Sequence, residues 1–436
     1  MSFLGYKNYK STGVDWLREV PSHWQIRRIK SLFEIKKSIA NADGFDVLSV
    51  TQGGLKVKNI ESNEGQLSMD YSKYQVVEPN DFVMNHMDLL TGSVDIASVN
   101  GVTSPDYRVF TPKSDQVCDR FFLYLFQNGY RQKIFYAFGQ GSSQLGRWRM
   151  PTKSFNDFVF PFPPPQEQAA IAAFLDRETS KIDALVAEQK RLIELLGEKR
   201  QAVVSHAVTK GLILNVGMKD SGVEWLGEIP EHWQVYRLGD LFGESMETGD
   251  ETLPILSVSI HTGVSDRELD ERDFDRNVTR SEDRTKYKSV QPNDLTYNMM
   301  RAWQGGFGTV LINGMVSPAY VVARPKRNFF TAFVEQQLRT PHAIEEMRRH
   351  SKGVTDFRLR LYWDEFKSLR VAIPDMGEQA TIVGFVAAQT QTIGALSAEA
   401  EAAITILQER RSALISGAVT GKIDVRDRVP QQVAAE

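Results

Sequence analysis

The chain repeats itself once, and that constrains its fold more than any single motif does. Residues 12–24 read TGVDWLREVPSHW, and residues 221–233 read SGVEWLGEIPEHW, an offset of 209. EPNDFVMNHM (78–87) returns as QPNDLTYNMM (291–300), and GVTSPDY (101–107) as GMVSPAY (314–320), both at an offset of 213. QEQAAIAAFLDRET (166–179) returns as GEQATIVGFVAAQT (377–390) at 211, and Ala-Val-Thr at 207–209 returns at 418–420. The blocks keep their order, and the small changes of offset are those of loop insertions between two copies of one unit. The 436 residues are therefore about 211 taken twice.

Each copy has two parts. Residues 1–165 and 213–374 carry short apolar runs rich in Val, Ile, Phe and Tyr, broken by Gly, Pro, Asn and Asp, which predicts a strand-dominated mixed domain. Residues 166–212 and 375–421 are rich in helix formers and follow Pro163 to Pro165 and Pro374, prolines suited to a helix start. Steps of four and three select Ile171, Leu175, Ile182, Leu185, Leu192, Leu196 and Val203 in the first helix. In the second they select Ile382, Val386, Ile393, Leu396, Leu407 and Leu414. A seam this long predicts a coiled coil, and about 43 residues at 1.5 Å each make a rod of roughly 65 Å. The expected fold is α+β, with two β-rich globular domains separated by a pair of long antiparallel helices. Two independent helices, each lying on its own domain, are the alternative. Residues 422–436 are expected to be a flexible tail.

Signatures of catalysis do not emerge. No phosphate loop or dinucleotide fingerprint occurs, and the seven histidines include no H-E-x-x-H. Phe162 to Pro165 resembles an amino-methyltransferase loop but lacks its polar first residue. A single cysteine, Cys118, excludes an intramolecular disulfide and Cys-based zinc sites. Residues 1–10 lack the apolar core of a signal peptide, so a soluble, cytoplasmic protein is expected.

The formal net charge of −3 hides an uneven distribution. Residues 120–156 contain no Asp or Glu but six Lys or Arg; residues 296–334 contain no acid and four bases. Such segments let a polyanion approach, and Arg and Gln among them are the side chains that read guanine and adenine edges. The candidate DNA-contacting residues of the first copy are Arg131, Lys133, Gln140, Ser142, Ser143, Gln144, Arg147, Arg149 and Lys153. Those of the second are Asn298, Arg301, Trp303, Gln304, Arg348, Arg349, Lys352, Arg358 and Arg360. The pairs Arg147/Arg358 and Arg149/Arg360 recur at an offset of 211, which favours phosphate positioning over base readout.

The duplicated set (G-V-D/E-W-L, I/V-P-x-H-W, P-N-D with N-x-M, G-x-x-S-P-x-Y, and an E-Q helix entry ending in A-V-T) resembles the specificity subunits of type I restriction-modification enzymes. The resemblance covers nearly the whole chain, twice. It implies target-recognition domains at 1–165 and 213–374, each reading half of a bipartite DNA target, with the helices as spacer. It further implies no catalysis, metal or cofactor in this chain. S-adenosylmethionine would belong to two modification (methyltransferase) subunits, and ATP and Mg to restriction subunits. A coiled-coil adaptor without DNA readout is the other reading. One departure stands out: His86-Met87-Asp88 in the first copy faces Met299-Met300-Arg301 in the second.

Overall fold

The computed structural model describes residues 4–59, 68, 70–142, 147–250, 252–260, 262–268, 286–353 and 359–426. It divides into two compact units, residues 1–190 with 402–436, and residues 191–401. Both are mixed α and β.

The first unit is built around an antiparallel sheet in the order Phe33–Lys36, Arg108–Pro112, Phe82–Met84, Val94–Ile96. Helix Asp119–Arg131 buries Phe121, Phe122, Leu125 and Phe126 against this sheet, in a core shared with Phe33, Phe82, Phe110 and Phe160. A second sheet runs Gly54–Val57, Val47–Thr51, Gly101–Thr103, Gln75–Val77, with Val47–Thr51 and Gly101–Thr103 parallel. In the second unit the main sheet recurs as Phe242–Ser245, Tyr320–Pro325, Leu295–Asn298, Phe307–Thr309. Two helices, Thr331–Leu338 and Pro341–His350, stand where the first unit has one followed by the 3-10 turn Phe135–Phe138.

The repeated motifs are devices of turn and packing. Trp24 and Trp233 are fully buried, and their backbone N–H groups close turns onto Pro21 and Pro230; truncating such a side chain costs about 3–5 kcal/mol. In P-N-D, Asn80 (φ 71°) and Asn293 (φ 73°) are left-handed. The following Asp81 and Asp294 are buried and accept the N–H of Glu78 and Gln291. Lys36 pairs with Asp81 and Arg324 with Asp294. The glycine of G-x-x-S-P-x-Y allows a close approach: a Cβ on Gly101 would lie 2.6 Å from the Asp46 carbonyl, and one on Gly314 2.7 Å from Leu256 Cγ.

The helix entries are stapled alike. Gln168 is wholly buried, accepting from Cys118 N (2.9 Å) and donating to Gln116 O (3.1 Å) and Pro163 O (2.9 Å). Gln379 accepts from Phe330 N (2.9 Å) and donates to Pro374 O (2.8 Å). The preceding glutamates meet the histidines of P-x-H-W, His23 with Glu167 at 2.8 Å and His232 with Glu378 at 2.7 Å. Tyr6 also bonds to Glu167, and burial together with that carboxylate pushes its hydroxyl pKa well above the ordinary value.

The central helix runs Pro165–Lys210 and the C-terminal helix Met376–Val419. In the first unit Ile171, Phe174, Leu175 and Ile182 share a core with Leu414, Ile415, Ala418 and Val419, and Arg411 grips Asp183 through two bonds of 2.8 and 3.1 Å. In the second unit Val204, Ala207 and Val208 share a core with Ile382 and Val386.

Three seam positions need correction. Leu185, Leu192 and Leu396 are 45%, 42% and 45% exposed. The inward face of the central helix runs instead through Ile171, Leu175, Thr179, Ile182, Val186, Gln189, Ile193 and Leu196, resuming at Val204 and Ala207. On the C-terminal helix it passes through Ile393, Ser397, Ala400, Ile404, Leu407 and Arg411. Both faces still step by fours and threes, but between the shared positions Ile182, Gln189 and Leu196, and Ile393, Ala400 and Leu407, the four comes before the three, which turns the inward side by one residue. Val203 and Leu407 are half-buried; Ile171, Leu175, Ile182, Leu196, Ile382, Val386, Ile393 and Leu414 are buried.

Candidate nucleic-acid interface

In each unit the fold brings the N-x-M loop against a segment from later in the domain. In the first, Asn85 Oδ1 accepts Met87 N–H, and the loop is tied to the later segment by Met150 N to His86 O (2.9 Å) and Leu89 N to Trp148 O (3.0 Å). That segment is the antiparallel pair Gln140–Ser142 and Arg147–Arg149, in which Gln140 faces Arg149, Gly141 faces Trp148, and Ser142 faces Arg147. Trp148 turns inward, donating Nε1–H to Tyr136 O at 2.8 Å, so alternation leaves Gln140 and Arg149 exposed on the other face. Ser143 and Gln144 lie outside the described residues.

The second unit repeats this join. Leu361 N donates to Met299 O (2.9 Å), and Lys352 and Arg360 bridge. Asn298 Oδ1 accepts Met300 N–H, so this side chain shapes the loop. Arg301 and Gln304 are both exposed, and Arg301 Nη1 donates to Gln304 Oε1 at 3.1 Å. Between them Trp303 is half-buried, with its indole N–H unpaired among the described residues. Lys352 pairs with Glu365, which raises the lysine pKa, while Arg360 is exposed. Arg358 lies outside the described residues.

The remaining candidates are placed elsewhere. Arg131 ends helix Asp119–Arg131 near Asp183 and Arg411; burial and the Arg411 charge lower its pKa. Lys133 occupies a left-handed turn (φ 54°), and Lys153 is exposed on helix Thr152–Asp157. Arg348 and Arg349, in the last turn of Pro341–His350, meet Glu345 at 3.6 and 3.8 Å; Arg349 also approaches Glu346 and Glu224.

Two side chains that sequence reasoning passed over sit beneath the first loop. Arg108 is only 4% exposed; its Nη2 donates to Met150 O (3.1 Å) and Thr152 Oγ1 (3.4 Å), and its guanidinium lies 4.4 Å over the Phe155 ring. Burial lowers its pKa to about 10, so it stays cationic at neutral pH. Burial, followed by the Arg108 and Arg149 charges, lowers His86 to about 3. The signal was available: Arg108 interrupts an apolar strand at the place where the second copy has Val321.

Residues 21–195 match the family of the type I restriction modification DNA specificity domain. That stretch of the chain is similar to a type I DNA specificity domain. It is 22% identical over 256 residues to a putative type I restriction enzyme MjaX specificity subunit of Methanocaldococcus jannaschii, covering 55% of this chain and 57% of that one. It is 24% identical over 280 residues to the EcoBI specificity subunit of Escherichia coli, covering 59% and 58%. The chain thus spans little more than half the length of these curated relatives. The fold of the chain is similar to a chain from a structure of the type I R-M system (TM-score 0.61, 14% identity, 93% and 99% covered). It is also similar to the HsdS subunit of Thermoanaerobacter tengcongensis (TM-score 0.51, 13% identity, 93% and 98% covered). Among the described residues no helix is long and apolar enough to cross a membrane, and no cluster of three or more His, Cys, Asp or Glu could hold a metal.

Proposed function

We propose that this chain is the sequence-specific DNA-recognition subunit of a type I restriction-modification complex, non-catalytic itself. The observation that carries this reading is the repeated join: in both units the short N-x-M loop is hydrogen-bonded to a later segment that carries an exposed arginine, Arg149 in the first and Arg360 in the second. Each unit reads one half of a split target, with residues 1–165 and 213–374 as the two reading domains. The antiparallel helices 166–212 and 375–421 hold the readers apart and dock two methyltransferase subunits. The exposed Leu185, Leu192, Leu195 and Leu396 offer apolar surface for that docking. S-adenosylmethionine is bound by those partners, and ATP and Mg by restriction subunits where present.

The test is to co-express the chain with a type I modification subunit in a methylation-free host and to sequence the DNA for modified adenines. A split motif with a fixed spacer is expected. Absence of modification, with no salt-dependent duplex binding by the purified chain, would leave only a protein-binding adaptor.

A further inference from the structure

Arg108 has no carboxylate partner among the described residues, although burying an unpaired charge is costly. Its Nη1 and the Nδ1 of His86 are both buried without a hydrogen-bond partner among the described residues. Met150 links the two residues: its carbonyl accepts from the Arg108 side chain, and its N–H donates to the His86 backbone carbonyl. Arg149, one residue earlier on the strand, is exposed above them, and the charges of both arginines act on His86. Two cations and an imidazole are thus gathered at the base of the Gln140–Ser142/Arg147–Arg149 pair. The second unit solves the same position differently, with Val321 buried and Met299 packed against the core. A cation is therefore not required there by the fold.

We propose that Arg108, His86 and Arg149 form an anion seat in the first unit that takes a backbone phosphate of duplex DNA. Arg149 makes the contact, and Arg108 acts from below as a positioning residue, holding Met150 and supplying charge through a low-dielectric layer. A phosphate supplies the negative charge that Arg108 lacks. The seat anchors only the first half-site, because the second unit has no counterpart. The inference rests on the DNA-recognition reading and adds to it which charges grip the backbone.

The experiment measures duplex affinity of the full chain against salt concentration for the unchanged protein, for Arg108→Lys, and for the double variant His86→Met/Arg108→Val, which copies the second unit. The double variant is expected to keep its melting temperature and bind target and non-target duplexes about tenfold more weakly, with the slope of log K on log salt reduced by about one. Arg108→Lys should retain the slope. A double variant with unchanged affinity and slope overturns the seat. A readout on the unchanged protein guards against a variant that does not fold: a phosphate beside His86 raises its affinity for a proton, so DNA binding should take up a proton in the acid range just above pH 3, and no uptake there overturns the seat. Stabilisation by inorganic phosphate equal to that by duplex would reassign the seat to a free anion. No duplex binding by the unchanged protein would overturn the DNA reading and the seat together.

Discussion

Gln168 and Gln379 show how much of the repeated sequence serves assembly of the fold. Each is an amide in an almost dry site, satisfying backbone groups from the globular part and from the helix entry. Replacing Gln168 by Ala strands three backbone groups and Gln379→Ala strands two, at about 1–3 kcal/mol for each group left buried. Urea denaturation should show both variants destabilised, Gln168→Ala more strongly. His86 adds a pH term. The folded imidazole stays neutral down to about 3 against the ordinary 6.5, because of burial and then the charges of Arg108 and Arg149. Between those values the unfolded chain binds the extra proton, so stability falls as pH drops from 6.5 toward 3. His86→Met should flatten that part of the curve in urea midpoints taken across the window; an unchanged slope would place the proton elsewhere. Identity and spacing singled out Gln168, Asp81 and Trp24 as residues that recur. They could not say that each faces inward, since a polar side chain becomes structural only when burial removes its water.

At the scale of elements, the long helices were legible as helices and as partners of a core, while the face they bury was displaced by one residue over part of its length. Val186, Ile193 and Ser397 replace Leu185, Leu192 and Leu396 on the inner face. A leucine satisfies an apolar pattern in either position, so only the rotation of the packed helix decides between them. Because seven residues return a helix face to within about 20°, inserting seven into each long helix should preserve the packing and lengthen the rod by about 10 Å. The DNA spacer should then grow by about three base pairs with both half-site sequences intact; a constant spacer in the methylation motif would refute the ruler. The two N-x-M loops differ in charge, Asp88 in one and Arg301 in the other. Arg301→Ala and Gln304→Ala should relax one half-site only, by about 1–3 kcal/mol in competition against single-base variants. A uniform loss on every sequence would assign both side chains to phosphates.

Over the whole molecule, the same fold occurs twice with different surfaces. Leu192→Ser, Leu195→Ser and Leu396→Ser change exposed positions, so each should shift the chain's own stability by no more than about 0.5 kcal/mol. Together they should reduce co-purification with a modification subunit; full retention would move the docking surface off this face. The duplication, the alternation of globular and helical parts, the helix entries and the acid-free segments were all readable from the chain, because identity, spacing and charge are one-dimensional properties. Three features required the fold. The N-x-M loop and the Gln140–Arg149 pair lie more than fifty residues apart in sequence, and backbone hydrogen bonds across the domain join them. The inward face of each long helix follows from its packed rotation. For Arg108 the sequence offers an arginine in an otherwise apolar strand, but its burial, the loss of solvent that sets its charge apart, is decided by the packing.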